Sequence, residues 1–413
     1  MHKAQRLISY LFCILFFVVP LIIWPTTSEV FEFNKIVTTY AFTTLIVGTW
    51  TVRMISEKKI IFRRTILDTP LILYLLALFL STLFSIDPRT SILGYYSRFN
   101  GGLLSILCYT LLYWAYVSNM THKSSKRVIY SVLLASVIVS IYGIAQHFGI
   151  DKGIWVQDVQ NRIFSSLGQP NWLAAFLVAL TPFTFIGLIK KPYSYILSAL
   201  FFTALLFTKS RSGILGFGIA NLVYWGYTIF KFKKEYLKEF LTLNLIFLVL
   251  FLFIKTPFTS PQVAVPNAPA LETGGTESGS IRKIVWKGAT NLWMKNPILG
   301  SGPETFGYAY YLVRPTEHNL VSEWDFIYNK AHNEFLNIAA TTGTLGLISY
   351  LLLIYSSFVI FTKNLRVKEN FSLRIALLSG YLGLIISNFF GFSVVISQLI
   401  LFLFPAFAIT LDE

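Results

Sequence analysis

Three residues, far apart in the chain, have side chains suited to moving a phosphorylated group. His332 lies in NKAHNEFLNIAATTGTLGL (329–347), Arg211 in TKSRSG (208–213) and Arg282 in SIRKIVW (280–286). A histidine titrates near neutral pH and can take a proton from a hydroxyl. A guanidinium offers a planar fork of donors that fits phosphate oxygens. Two fixed cations can hold a diphosphate and stabilise it as it departs. Each residue alone has a plainer explanation. A lone histidine beside an apolar segment is most often packing, an arginine beside one often snorkels, and Arg282 could belong to a solvated basic helix. Their meaning depends on the elements that place them.

Those elements are apolar. The chain has 413 residues, 55% of them hydrophobic and 13% charged, with a mean hydropathy of +0.63. A soluble protein carries about a quarter charged residues, and a helical span needs about 20 apolar ones. The expected architecture is an all-α polytopic membrane protein, a single integral membrane domain over residues 1–413. About twelve spans are expected, near 7–24, 35–54, 69–84, 101–118, 127–148, 172–189, 193–208, 213–230, 237–254, 344–362, 372–388 and 393–410. The first is not a convincing cleavable signal, being long and followed by further spans. No internal repeat is visible.

The net charge of +15 does not point to nucleic acid. Lysine and arginine cluster at 3–6, 53–64, 123–127, 190–191, 231–238 and 363–374, which all fall on one side if the spans alternate. That is the positive-inside pattern, and it places both chain ends in the cytoplasm. Cys13 and Cys108 fall inside spans, with no CxxC and no disulfide framework.

One large outward loop, 255–331, separates spans nine and ten. Residues 256–280, rich in Pro, Gly, Ser and Thr, read as a flexible connector. Residues 281–296 read as an amphipathic helix, with Ser280 as N-cap, Pro297 as terminator and apolar Ile281, Ile284, Val285, Leu292 and Trp293 at helical spacing. It is expected to lie along the membrane surface, with Trp286 and Trp293 at headgroup depth. The span middles lack Asp, Glu, Lys and Arg, unlike those of ion-coupled transporters. Polar chemistry gathers instead at the outward face, where Arg211, Arg282 and His332 all fall.

Further candidates share that face. Arg98 lies in SIDPRTSILGYYSRFNGG (85–102), Glu304 is the acid of NPILGSGPETF (296–306), and Asn333 follows His332. GQPNWLAA (168–175) also faces outward. NPILGSGPETF is not a phosphate-binding Walker loop, since no GK[ST] follows; its glycines suit a structural turn. HNEFL is not HExxH and the nearest other histidine is His318, so no metal site and no cofactor are expected. Tyr308, Tyr310, Tyr311, Trp324 and Tyr328 supply aromatic faces that sugars or a membrane belt could use.

These motifs resemble the O-antigen ligase and O-antigen polymerase-like superfamily of bacterial envelope glycosyltransferases. DPRTSILGYYSRFNGGLL, SLGQPNWLAAFL, TKSRSGILG, R…W…A…NPILGSGPETF and AHNEFLNIAATTGTLGL follow one another in the family's order, from about residue 85 to 350. Gln169 stands where an Asn is expected. The resemblance implies twelve spans with a large outward loop between the ninth and tenth. It implies that Arg211 and Arg282 engage the diphosphate of an undecaprenyl-diphosphate-linked glycan donor, and that His332 positions or deprotonates the acceptor hydroxyl. The implied reaction is metal-independent and inverting, at the outer face of the bacterial cytoplasmic (inner) membrane. Arg98, Glu304 and Asn333 carry over as further substrate-binding candidates.

The acceptor stays open among a lipid, a growing glycan and a protein, which correspond to a ligase, a repeat-unit polymerase and a protein O-oligosaccharyltransferase. A different class, a flippase for lipid-linked sugars, fits the spans and the charge. It fits the uncharged span middles and the large polar loop less well. A non-catalytic scaffold would tolerate loss of the arginines. Membrane lipids are expected partners and nucleic acid is not.

Overall fold

The computed structural model describes residues 3–188, 191–259, 278–363, 365 and 370–411. Among them all regular structure is helical: α1 (Lys3–Leu21), α2 (Glu32–Ser56), α3 (Asp68–Leu83), α4 (Pro88–Leu93), α5 (Leu103–Asn119), α6 (His122–His147), α7 (Pro170–Thr184), α8 (Tyr193–Phe207), α9 (Arg211–Phe232), α10 (Leu237–Phe253), α11 (Ser278–Lys295), α12 (Phe306–Ala309), α13 (Glu334–Thr362), α14 (Phe371–Phe389) and α15 (Val395–Thr410). Each of the twelve expected apolar segments coincides with one of these helices. Among the described residues six segments are long and apolar enough to cross a membrane by length and composition: α1, α6, α7 with the turn that extends it to Gly187, α9, α13 and α14. A count of twelve crossings is therefore not established.

The core runs through α7, α14 and α15, most of whose residues are buried. α9 and α14 meet at small residues: a Cβ on Gly216 would lie 2.7 Å from the Gly383 carbonyl oxygen. Such close backbone approach suits helices whose lipid-facing surfaces gain nothing from hydrophobic burial.

The segment from α11 to α13 has a core of its own. Ile281, Val285, Ala289 and Leu292 line one face of α11 and pack with Phe306, Tyr310, Val321 and Tyr328. The helix starts at Ser278, so Ser280 lies inside it rather than at its cap. It is docked on the helical body rather than lying apart: Trp286 meets Phe389 edge-on at 5.9 Å, and Trp293 Nε1 donates to Thr344 Oγ1 at 3.1 Å. Of the expected flexible connector, residues 260–277 lie outside the described residues.

α13 starts ten residues before the expected span and is broken at Gly343, whose φ of 67° is left-handed. The break frees backbone groups, and the stretch NPILGSG fills them. Ser301 N donates to the Ala340 carbonyl at 3.2 Å and Gly302 N to that of Thr341 at 2.8 Å. In return Thr344 N donates to the Pro297 carbonyl at 2.8 Å. Irregular backbone inside a membrane protein persists only where protein supplies such partners. The glycine-rich motif is thus a strap that rebuilds α13 at its break.

Candidate functional site

His332 sits immediately before α13. Asn333 caps that helix, its Oδ1 accepting from Leu336 N at 3.0 Å, and Asn337 Oδ1 accepts from Ala331 N at 3.1 Å. Between these two braces His332 takes a left-handed φ of 52°. Histidine is among the few non-glycine residues enriched there. The amides around His332 hold its backbone, and Asn333, expected as a substrate contact, has its carbonyl oxygen engaged as the cap.

The imidazole lies between two aromatic rings. It meets Tyr328 at 5.7 Å and Phe392 at 5.4 Å, both edge-on. A small cleft beside it is lined by Gln169, Asn171, Trp172, Asn388 and Phe392. Burial, with the charges of Arg282 and Arg98 nearby, lowers the His332 pKa to about 4. The ring is therefore neutral at physiological pH and able to accept a proton.

Arg98 stacks over Trp172 at 5.0 Å and Phe392 at 5.8 Å. Arg211 is the first residue of α9, after a turn in which Ser210 Oγ donates to Asn171 Oδ1 at 2.8 Å. Arg282 lies on α11. Its pKa is lowered by burial and by the positive charge of Arg211, while Tyr328 and Glu323 act in the opposite sense. The structure thus brings the residues predicted from sequence into one electrostatic neighbourhood: Arg211 beside Arg282, and Arg282 and Arg98 beside His332.

Sequence reasoning missed Arg162. Its pKa is lowered by burial and by Arg282, so it belongs to the same cluster. Its Nε donates to the Thr208 carbonyl at 3.1 Å, and Ile163 N donates to the Phe207 carbonyl at 3.3 Å. The 158–163 loop is thereby fastened to the turn that carries Arg211. The usable signal was positional: Arg162 is a basic residue between two apolar segments, just before SLGQPNW.

Glu304 is buried and paired with Lys330, and it packs against Gly101, so it ties the strap to the segment carrying His332. Among the described residues no group of three or more His, Cys, Asp or Glu side chains is placed to hold a metal ion.

No curated protein matches the chain. The family described as O-antigen ligase matches residues 196–351, a stretch that contains Arg211, Arg282 and His332. The apolar helices mark a multi-pass membrane protein, and its residues 196–351 are similar to the O-antigen ligase family.

Proposed function

We propose that the protein transfers a glycan from an undecaprenyl-diphosphate-linked donor to an acceptor hydroxyl, at the outer face of a bacterial cytoplasmic membrane with both chain ends inside. The observation that carries this reading is a half-buried imidazole, set between Tyr328 and Phe392, with guanidiniums gathered beside it. Like charges are not packed together in a partly buried site without cost, and a diphosphate offsets that cost.

In this mechanism Arg211 and Arg282 grip the diphosphate, with Arg162 as a third cation. The acceptor hydroxyl approaches the anomeric carbon from the face opposite the diphosphate, and His332 takes its proton. The new C–O bond forms as the bond to the diphosphate oxygen breaks, so the configuration inverts. The charge that develops on the leaving oxygen is held by the arginines. The reaction needs no metal or cofactor, since cations and base are both supplied by side chains. Arg98, Glu304 and Asn333 border the same site and shape it. The acceptor is a lipid, a glycan or a protein.

The test is His332→Ala in membranes supplied with a lipid-linked glycan. Transfer is expected to be lost. Full transfer at normal expression would remove His332 from the chemistry. Movement of the intact donor across reconstituted vesicles, without bond formation, would replace the reading with transport.

A further inference from the structure

The first turn of a helix leaves its N–H groups without partners in that helix. At the start of α15 two of the partners come from elsewhere in the chain. Val395, the first residue of α15, donates its N–H to Glu32 Oε2 at 2.8 Å. Two residues earlier, Ser393 N donates to Glu334 Oε2, also at 2.8 Å. Between them Val394 N donates to Ser397 Oγ at 2.7 Å, and Asn388 Nδ2 donates to Ser393 Oγ at 2.9 Å.

Glu32 and Glu334 are themselves the first residues of α2 and α13. Both are buried, at 0% and 9% exposure. A buried carboxylate is costly unless it is hydrogen-bonded or paired. Each sits at the N-terminus of its own helix and beside that of α15, and these helix ends offset part of the cost of burying a charge. The two carboxyl groups hold down the short link between α14 and α15.

That link carries Phe392. Its ring meets His332 at 5.4 Å and Trp172 at 6.0 Å, and lies under Arg98 at 5.8 Å and Lys330 at 5.9 Å. One aromatic side chain therefore touches the imidazole, a neighbouring cation and the wall of the cleft, and the backbone just after it is fixed by two carboxyl groups from distant helices.

We infer that Glu32 and Glu334 are positioning residues of this site: by capping the start of α15 from outside, they seat Phe392 against His332 and keep the imidazole dry. The inference rests on the proposed role of His332 only for its kinetic consequence. The placement of the imidazole can be read without it.

The charged and titratable groups facing His332 are Arg98 from the link before α5, Arg282 from α11 and Tyr328 from the segment before α13; Lys330 lies across Phe392. Burial is the largest cause of its lowered pKa and the two arginines come second. Releasing Phe392 admits water and raises the imidazole pKa. Losing a nearby carboxylate through space alone would lower it. The two explanations of a Glu334 effect thus differ in sign.

The experiment is an NMR titration of the full chain in detergent with labelled histidines, His332 being assigned by its loss in His332→Ala. Phe392→Ala and Glu334→Ala are expected to raise the His332 midpoint by at least about one pH unit. Glu334→Gln is expected not to raise it, because the amide oxygen still accepts from Ser393. If His332 is the base, the acid limb of kcat/KM follows the same order. An unmoved or lowered midpoint in folded Glu334→Ala overturns the inference. Should Glu334→Ala not fold, an unmoved midpoint in Phe392→Ala overturns it equally. A raised midpoint with an unchanged rate profile retains the positioning role and removes His332 from the chemistry.

Discussion

Arg162 Nε donates to the carbonyl of Thr208 at 3.1 Å, three residues before Arg211. The bond uses one of the five N–H groups of the guanidinium to fix its position and leaves the others for a ligand. Arg162→Lys should therefore raise the KM for the lipid-linked donor about ten- to a hundredfold, the loss expected when a hydrogen bond to a charged group is removed. Thermal stability should change little, since the backbone bond from Ile163 to Phe207 remains. An unchanged donor KM would take Arg162 out of the diphosphate site.

The His332 pKa of about 4 fixes the sign of the pH dependence. The base works as the neutral ring, so activity is present above the pKa and is lost as pH falls through it. The acid limb of kcat/KM, which reports the free enzyme, should lie near pH 4. Bound diphosphate places negative charge beside the imidazole and favours its protonated form. The acid limb of kcat should therefore lie at higher pH than that of kcat/KM. Coincident limbs would mean that the anion does not sit beside His332.

The helices were legible in the sequence because apolar runs of span length admit few alternatives. The face of α11 was legible for the same kind of reason: Ile281, Val285 and Leu292 recur at helical spacing and are buried. Counting the apolar segments gave Arg211, Arg282 and His332 a common side only as an expectation. What stayed hidden depends on contacts between distant segments. Arg162 joins the cluster because its loop is bonded to the turn after α8. The carboxylates of Glu32 and Glu334 meet the start of α15 across 363 and 59 residues of chain. The pairing of Glu304 with Lys330 spans distant segments in the same way. No local pattern encodes such pairings.

Arg282 is held near Arg211 on a helix whose other face is buried. Arg282→Lys keeps the charge and loses the fork that grips two phosphate oxygens at once. Donor use should fall by about one to two orders of magnitude, with expression and melting temperature close to those of the parent. Equal donor affinity, measured by competition with free undecaprenyl diphosphate, would count against a diphosphate contact at this position.

Transfer should survive a chelator. The proposed cations are guanidiniums, whose charge does not depend on a bound ion. Washed membranes assayed with and without EDTA should show equal rates. Loss of transfer with EDTA and recovery with a single divalent cation would refute a metal-independent reaction.

Gly343 joins the half of α13 that follows His332 to the half that continues it. Its φ is 67°, and a Cβ there would lie 2.1 Å from the Ile298 carbonyl oxygen. Gly343→Ala thus faces backbone strain and a collision with the strap that supplies partners to the broken helix. The backbone term alone costs about 1–3 kcal/mol, and displacement of residues 297–302 adds the loss of their hydrogen bonds. The strap also carries the connection to Glu304, which is paired with Lys330 two residues before His332. Gly343→Ala should therefore lower both the melting temperature and kcat, while a substitution at the exposed Leu345 on the same helix should change neither. Thermal unfolding and single-turnover transfer on the two variants make the check. Wild-type stability in Gly343→Ala would mean that the strap does not hold α13.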